Sequence, residues 1–80
     1  MRLDKYLKIS RIIKRRTIAN EACDSAHVTV NGRPAKASYN VKEGDVLEIA
    51  FSERNLKVRV LNVRNFTTKA DAASLYEVIS

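Results

Sequence analysis

The sequence predicts a small α+β domain with its helices at the front. Three observations carry that expectation. Apolar residues recur with a helical period over the first quarter of the chain and with a period of two thereafter. An Asn31-Gly32 pair stands between two alternating segments. Eighty residues, 45% of them hydrophobic and 30% charged, suffice for one globular domain and leave little room for a deep catalytic pocket.

Leu3, Tyr6, Leu7 and Ser10 follow i, i+3, i+4, i+7, one face of a short helix. Ile9, Ile12 and Ile13 repeat that spacing in another phase, which predicts a break near Ser10 and Arg11. Thr17 is the expected N-cap of a second helix, with Glu21 in its first turn favouring the dipole. Its inward face is either Ile18, Ala22 and Ala26 or Ala19, Cys23 and Ala26, and small residues there allow close helix approach.

Val28 and Val30 then alternate with His27 and Thr29. Asn31-Gly32 predicts a tight hairpin, because both turn residues accept positive φ. Pro34 lacks an N–H, so the returning segment is an edge strand or a strand start. Glu43-Gly44-Asp45 marks another turn. Leu47, Ile49 and Phe51 alternate with Glu48 and Ala50 as a half-buried strand. Leu56, Val58 and Val60 alternate with Lys57 and Arg59, a run that extends as far as Arg64 if the pattern holds. Lys69 to Leu75 carries helix formers in a weak pattern. The expected layout is two short N-terminal helices on a small antiparallel or mixed sheet, a domain over residues 1–66, and a tail over 67–80 that could include a short helix.

All the net charge lies at one end. The first sixteen residues hold Arg2, Lys5, Lys8, Arg11, Lys14, Arg15 and Arg16 against Asp4, a net +6. The rest is neutral, with eight bases and eight acids. A neutral body with a cationic head has an oriented field, and that field points at a polyanion, nucleic acid foremost. Arg2, Lys5 and Lys8 lie three apart and form a stripe on the first helix. Lys14-Arg15-Arg16 precedes the second helix, whose start has free N–H groups that suit phosphate. These basic residues lie outside the apolar stripes, so the fold is not expected to need them.

Other chemistry finds little support. Cys23 and His27 are the only residues of their kinds, too few for a structural zinc site. Cys23 falls on a small apolar face, where a free thiol is buried and inert, so a Cys–His catalytic pair is not favoured. Tyr6 shares a face with Leu3 and Leu7 and belongs to the core; Tyr39 could stack on a base. With Gly32 and Gly44 alone there is no Gly-rich phosphate loop. A lone cysteine fits a reducing cytoplasm, and no signal peptide or apolar run of membrane length is seen. A DNA-reading helix-turn-helix is the alternative. Its second helix offers Asn20, Glu21 and Asp24 to the groove, and the two acids oppose phosphate.

The segments Met1-Arg2-Leu3-Asp4-Lys5-Tyr6-Leu7, Ile18-Ala19-Asn20-Glu21-Ala22, Val28 to Lys36 and Val41 to Val46 occur in order over residues 1 to about 51. Together they resemble the S-four RNA-binding domain, named after ribosomal protein four of the small subunit. The whole chain is similar to the small stand-alone bacterial group of that family, which includes RqcP-type ribosome-quality-control proteins and an S-four heat-shock protein. The resemblance implies a non-catalytic, monomeric, cytoplasmic protein without cofactor or metal. It implies binding to 23S rRNA of the large subunit and to peptidyl-tRNA, alongside an RqcH-like tailing factor, to hold the tRNA during template-free tail elongation; the alternative in this class is a general rRNA or tRNA binder in ribosome recycling. Carried over by position, Arg2, Lys5, Arg11, Lys14, Arg15, Arg16, Thr17 and Lys36 face RNA, and the stripe adds Lys8. The family often has Gly then Arg before its first strand, where Ala26 and His27 stand here. An Ala in a left-handed cap costs on the order of 1 kcal/mol relative to Gly.

Overall fold

The computed structural model of the chain describes residues 1–64 and 69–80. The division expected between residues 66 and 67 lies outside the described residues. Helix α1 (Leu3–Ile9) and helix α2 (Arg16–Asp24) precede strands β1 (Val28–Val30), β2 (Arg33–Pro34), β3 (Val46–Ala50) and β4 (Asn55–Val60). Helix α3 (Lys69–Ala72) runs into a 3-10 turn (Ala73–Leu75), and strand β5 (Tyr76–Val78) follows. The sheet order is β2-β1-β3-β4-β5, and every neighbouring pair is antiparallel.

Leu3, Tyr6 and Leu7 of α1 are fully buried against Val28 and Val30 of β1, Leu47 and Ile49 of β3, and Val58 and Val60 of β4. The α1 face is the one read from the 3.6 period, and the strand faces those read from the period of two. Helix α1 ends where the phase shift predicts: Ser10 is its C-cap and Arg11 is left-handed, φ 63°. Of the two faces open for α2, Ala19 and Cys23 pack inward, while Ile18 stays 48% exposed. Ala26 belongs to neither face, because α2 has already ended. It has φ 64°, with Ala26 N–H donating to Cys23 O and His27 N–H to Ala22 O. That is a Schellman cap with alanine where glycine is usual.

Asn31 (φ 53°) and Gly32 (φ 85°) form the two-residue turn of the β1–β2 hairpin, and β2 is an edge strand, as Pro34 requires. Three expectations need correction. Thr17 is not the N-cap of α2: Arg15 is, no side chain caps it, and no acid, Glu21 included, lies in the first turn. Strand β4 stops at Val60 rather than running to Arg64, because the chain turns there: Leu61 and Asn62 N–H both donate to Leu75 O. The C-terminal residues are more than a tail. β5 pairs with β4, Leu75 is fully buried, and the Tyr6 hydroxyl donates to Leu75 O at 2.7 Å.

Candidate nucleic-acid interface

The head of the molecule is built around one buried acid. The Asp4 side chain is 3% exposed and accepts from Arg2, Arg16, Asn20 and the Lys5 backbone. Arg2 Nε donates to Oδ1 at 3.2 Å and Arg2 Nη2 to Oδ2 at 3.4 Å. Arg16 Nε lies 3.4 Å from Oδ2 and Arg16 Nη2 donates to Oδ1 at 3.5 Å. Asn20 Nδ2 donates to Oδ2 at 3.2 Å, and the Lys5 N–H to Oδ1 at 2.8 Å. Burial pushes the Asp4 carboxyl up, but the hydrogen bonds from Asn20, Arg2, Arg16 and the Lys5 N–H outweigh it and hold the group below the usual carboxylate range. Its contribution to stability is therefore complete above the unfolded carboxyl pKa of about 4 and is lost as pH falls through the lowered value.

Each arginine gives only part of itself to Asp4. The side chains of Arg2 and Arg16 remain 51% and 48% exposed. Two guanidinium groups from positions fourteen residues apart in sequence are thus fixed side by side with half their surface free. A pre-placed pair of forks suits phosphate oxygens better than two loose side chains would. Arg16, Thr17 and Asn20 line one cleft together with Asp4 and Glu21. Thr17, on the second residue of α2, belongs to this cleft rather than to a cap. The tie to Asp4 also corrects the expectation that no basic residue matters to the fold, since Arg2 and Arg16 neutralise a buried charge.

The start of α1 is closed by the loop after β2. Asp4 N–H donates to Ala37 O and Leu3 N–H to Tyr39 O, which brings the neighbouring, exposed Lys36 to the Arg2 end of α1. Lys36 also lines a second cleft with Arg33. Lys5 is half-buried on α1 and Lys8 is exposed in its last turn. Arg11 is exposed in a left-handed conformation that costs an L-residue roughly 1 kcal/mol. Lys14 and Arg15 are exposed on the connection to α2, beside Ile12 and Ile18. Direct side-chain contact therefore joins Arg2 to Arg16 through Asp4, while Lys14 and Arg15 stand together on another part of the head. Asp4 and Asn20 were missed as members of this site. The one available signal was a lone acid inside a run of seven cations.

The competing chemistry loses ground on the same geometry. Cys23 is 2% exposed, and burial first, then the Asp4 and Asp24 charges, push its thiol up to about 11, so it is no nucleophile near neutrality. Tyr39 donates its hydroxyl to Asp45 and is half-buried, so it is held in the protein rather than offered to a base. Asn20 binds Asp4, and Asp24 accepts the Ala37 N–H, which leaves α2 without free base-reading groups at those positions. Among the described residues no cluster of three or more His, Cys, Asp or Glu could hold a metal, and no helix is long and apolar enough to cross a membrane.

Known proteins give this geometry a family. The S4 domain family model matches residues 1–47. The RQC P-site tRNA stabilizing factor of Streptococcus pneumoniae is 54% identical over 80 residues, all of this chain and 91% of that protein. The factor of the same name from Halalkalibacterium halodurans is 53% identical over 78 residues, 98% of this chain and 89% of that one. The trimeric structure of Vibrio cholerae heat shock protein 15 superposes with a TM-score of 0.92 at 25% identity, covering 100% of this chain and 82% of its own. The chain belongs to the S4 domain family and, within it, to the group of RQC P-site tRNA stabilizing factors.

Proposed function

We infer that this protein binds RNA through its cationic head and stabilises the P-site tRNA in ribosome-associated quality control. The relatives' shared name supports the pathway, and the family supports the chemistry. One observation carries the assignment to these residues: Asp4 fixes Arg2 and Arg16 as paired, half-exposed forks on the cationic head. Phosphate contacts from Arg2, Lys5, Lys8, Arg11, Lys14, Arg15, Arg16, Thr17 and Lys36 supply affinity, and their fixed relative placement supplies recognition of shape. The role is non-catalytic. The protein acts as a monomer in the cytoplasm, on 23S rRNA of the large subunit and on peptidyl-tRNA, beside an RqcH-like tailing factor.

A composite site explains how a patch that attracts any RNA can be selective. An empty large subunit offers rRNA only. A subunit that retains peptidyl-tRNA offers rRNA and tRNA together, and the second contact is effectively intramolecular. Tagged protein should therefore be enriched on large subunits carrying peptidyl-tRNA over empty subunits and intact ribosomes at physiological salt. Equal recovery on all three would leave a general RNA binder and remove the quality-control role.

A further inference from the structure

The cationic head continues into an apolar groove that phosphate binding leaves unexplained. Ile12, Ile18 and Ala22, with Phe51 just after β3, are among the residues that line a groove of about 910 Å³. That volume falls within the range of roughly 300–1,000 Å³ typical of small-ligand sites. Ile18 is 48% exposed here, whereas the other large exposed apolar residues among those described, Leu61, Val78 and Ile79, lie in the C-terminal half. Lys14 and Arg15 line the same groove, and among its lining residues there is no carboxylate. Arg54 lies 5.4 Å over the Phe51 ring and adds a cation beside it.

An apolar floor with a cationic rim has two parts, and so does a nucleotide. Its base is a flat apolar surface and its phosphate an anion. A strand whose phosphates rest on Lys14 and Arg15 has its bases beside Ile12 and Ile18, because the same groove holds all four. The polar lining at His27 and Ser52 can meet the edge of a base, and the groove is open enough for the remaining edge atoms to face water. A base in a duplex cannot enter, since its faces are already stacked.

We propose that the groove between α2 and the end of β3 binds the base of an unpaired RNA nucleotide, with Lys14 and Arg15 holding its phosphates. The inference rests on the RNA-binding reading and adds a second mode to it: phosphate forks at Asp4, base contact at Ile18. The occupant is RNA rather than an acidic protein segment, because the cations that rim the groove are the ones assigned to phosphate.

Fluorescence anisotropy with the full chain tests it, using labelled hexaadenylate, a hexamer with abasic central residues, and a paired RNA hairpin. Wild type should prefer hexaadenylate over the abasic strand by about tenfold, the size expected of one base stacked on protein. Ile18→Ser should abolish that preference and leave the abasic and hairpin affinities unchanged. Phe51→Leu, which keeps the apolar bulk, should reduce the preference by about half on a logarithmic scale. Arg15→Ala should weaken both strands equally. No preference in the wild type, or a preference that survives Ile18→Ser, would give the groove to an apolar protein segment and overturn the inference. Failure of all three RNAs to bind with salt dependence would instead overturn the RNA-binding reading beneath it.

Discussion

Two aspartates are buried in this protein, and they are served by different partners. Asp45 sits in the neutral body, 8% exposed. It accepts from Asn31 Nδ2 at 3.1 Å, from the Tyr39 hydroxyl at 3.0 Å and from Lys42 N–H at 3.0 Å. All its donors are neutral, and together they tie the β1–β2 turn to the turn before β3. Asp4 sits in the head, and two of its donors are guanidinium groups that are half free. A carboxylate satisfied by neutral groups holds a shape. One satisfied by half-exposed cations holds a shape and aims a charge. The body thus uses an acid to join two turns, while in the head the acid also places two half-exposed cations, the pair proposed to meet RNA.

The largest effect that separates the two should come from Asp45→Ala. Three donors lose their acceptor, and stability should fall by on the order of 2–3 kcal/mol. Chemical denaturation reads that loss, and the RNA affinity of the folded protein should stay within about twofold, since no fork is disturbed. A matched loss of affinity would mean that the body also shapes the RNA surface.

Asp4→Asn should lose affinity as well as stability. It raises the net charge from +6 to +7, which by field strength alone would tighten RNA binding. Freed arginines must instead be ordered on binding, at about 0.5–1.5 kcal/mol each, so affinity should fall roughly tenfold. Tighter binding in an anisotropy titration would reduce the head to a charge count.

Within the basic triplet, Arg16→Lys should cost roughly 1 kcal/mol of binding, because lysine cannot fork onto Asp4 and phosphate at once. Arg15→Lys, with no such tie, should bind near wild type. Equal effects at the two positions would remove the special status of Arg16.

The helix ends give a subtler contrast. Ala26 and Arg11 both stand in the left-handed region where glycine is relaxed. Ala26→Gly and Arg11→Gly should each stabilise the fold by up to about 1 kcal/mol in thermal or chemical melts. Only Arg11→Gly should weaken RNA binding, since only Arg11 carries charge. Arg11 thus carries backbone strain that glycine would relieve. The smallest effects belong to Lys5→Ala and Lys8→Ala. Each is expected to flatten the plot of log affinity against log salt by about 0.7–0.9 for every phosphate that the lysine neutralises.

What the sequence made legible follows from periodicity. Leu3, Tyr6 and Leu7 repeat with the helix, Leu47 and Ile49 with the strand, and Asn31-Gly32 demands positive φ at two adjacent residues. Each is a local signal that tertiary structure had no reason to override. The position of the basic head was legible because charge is countable. Its organisation was not. Nothing local links Asp4 to Arg16 and Asn20, twelve and sixteen residues away, or distinguishes Ala19 from Ile18 as the buried neighbour. Thr17 is a good cap by type, yet the N-cap of α2 is Arg15, two residues earlier. β5 escaped notice because Tyr76–Val78 is three residues long, and Val78 is 60% exposed on the sheet edge. Unlike the equally short β1, it has no buried alternation, since Glu77 and Val78 are both exposed.

The bond from the Tyr6 hydroxyl to Leu75 O spans 69 residues. Its consequence lies in the timing of synthesis. Until Leu75 emerges from the ribosome that makes it, Tyr6 has no acceptor there, and the inner face of α1 lacks the cover that Leu75 provides. Long-range contacts of this kind must close a long loop before they stabilise anything. Helix α1, which carries Arg2, Asp4 and Lys5 at its start, therefore gains the last of its cover only when the C-terminal residues fold back onto it.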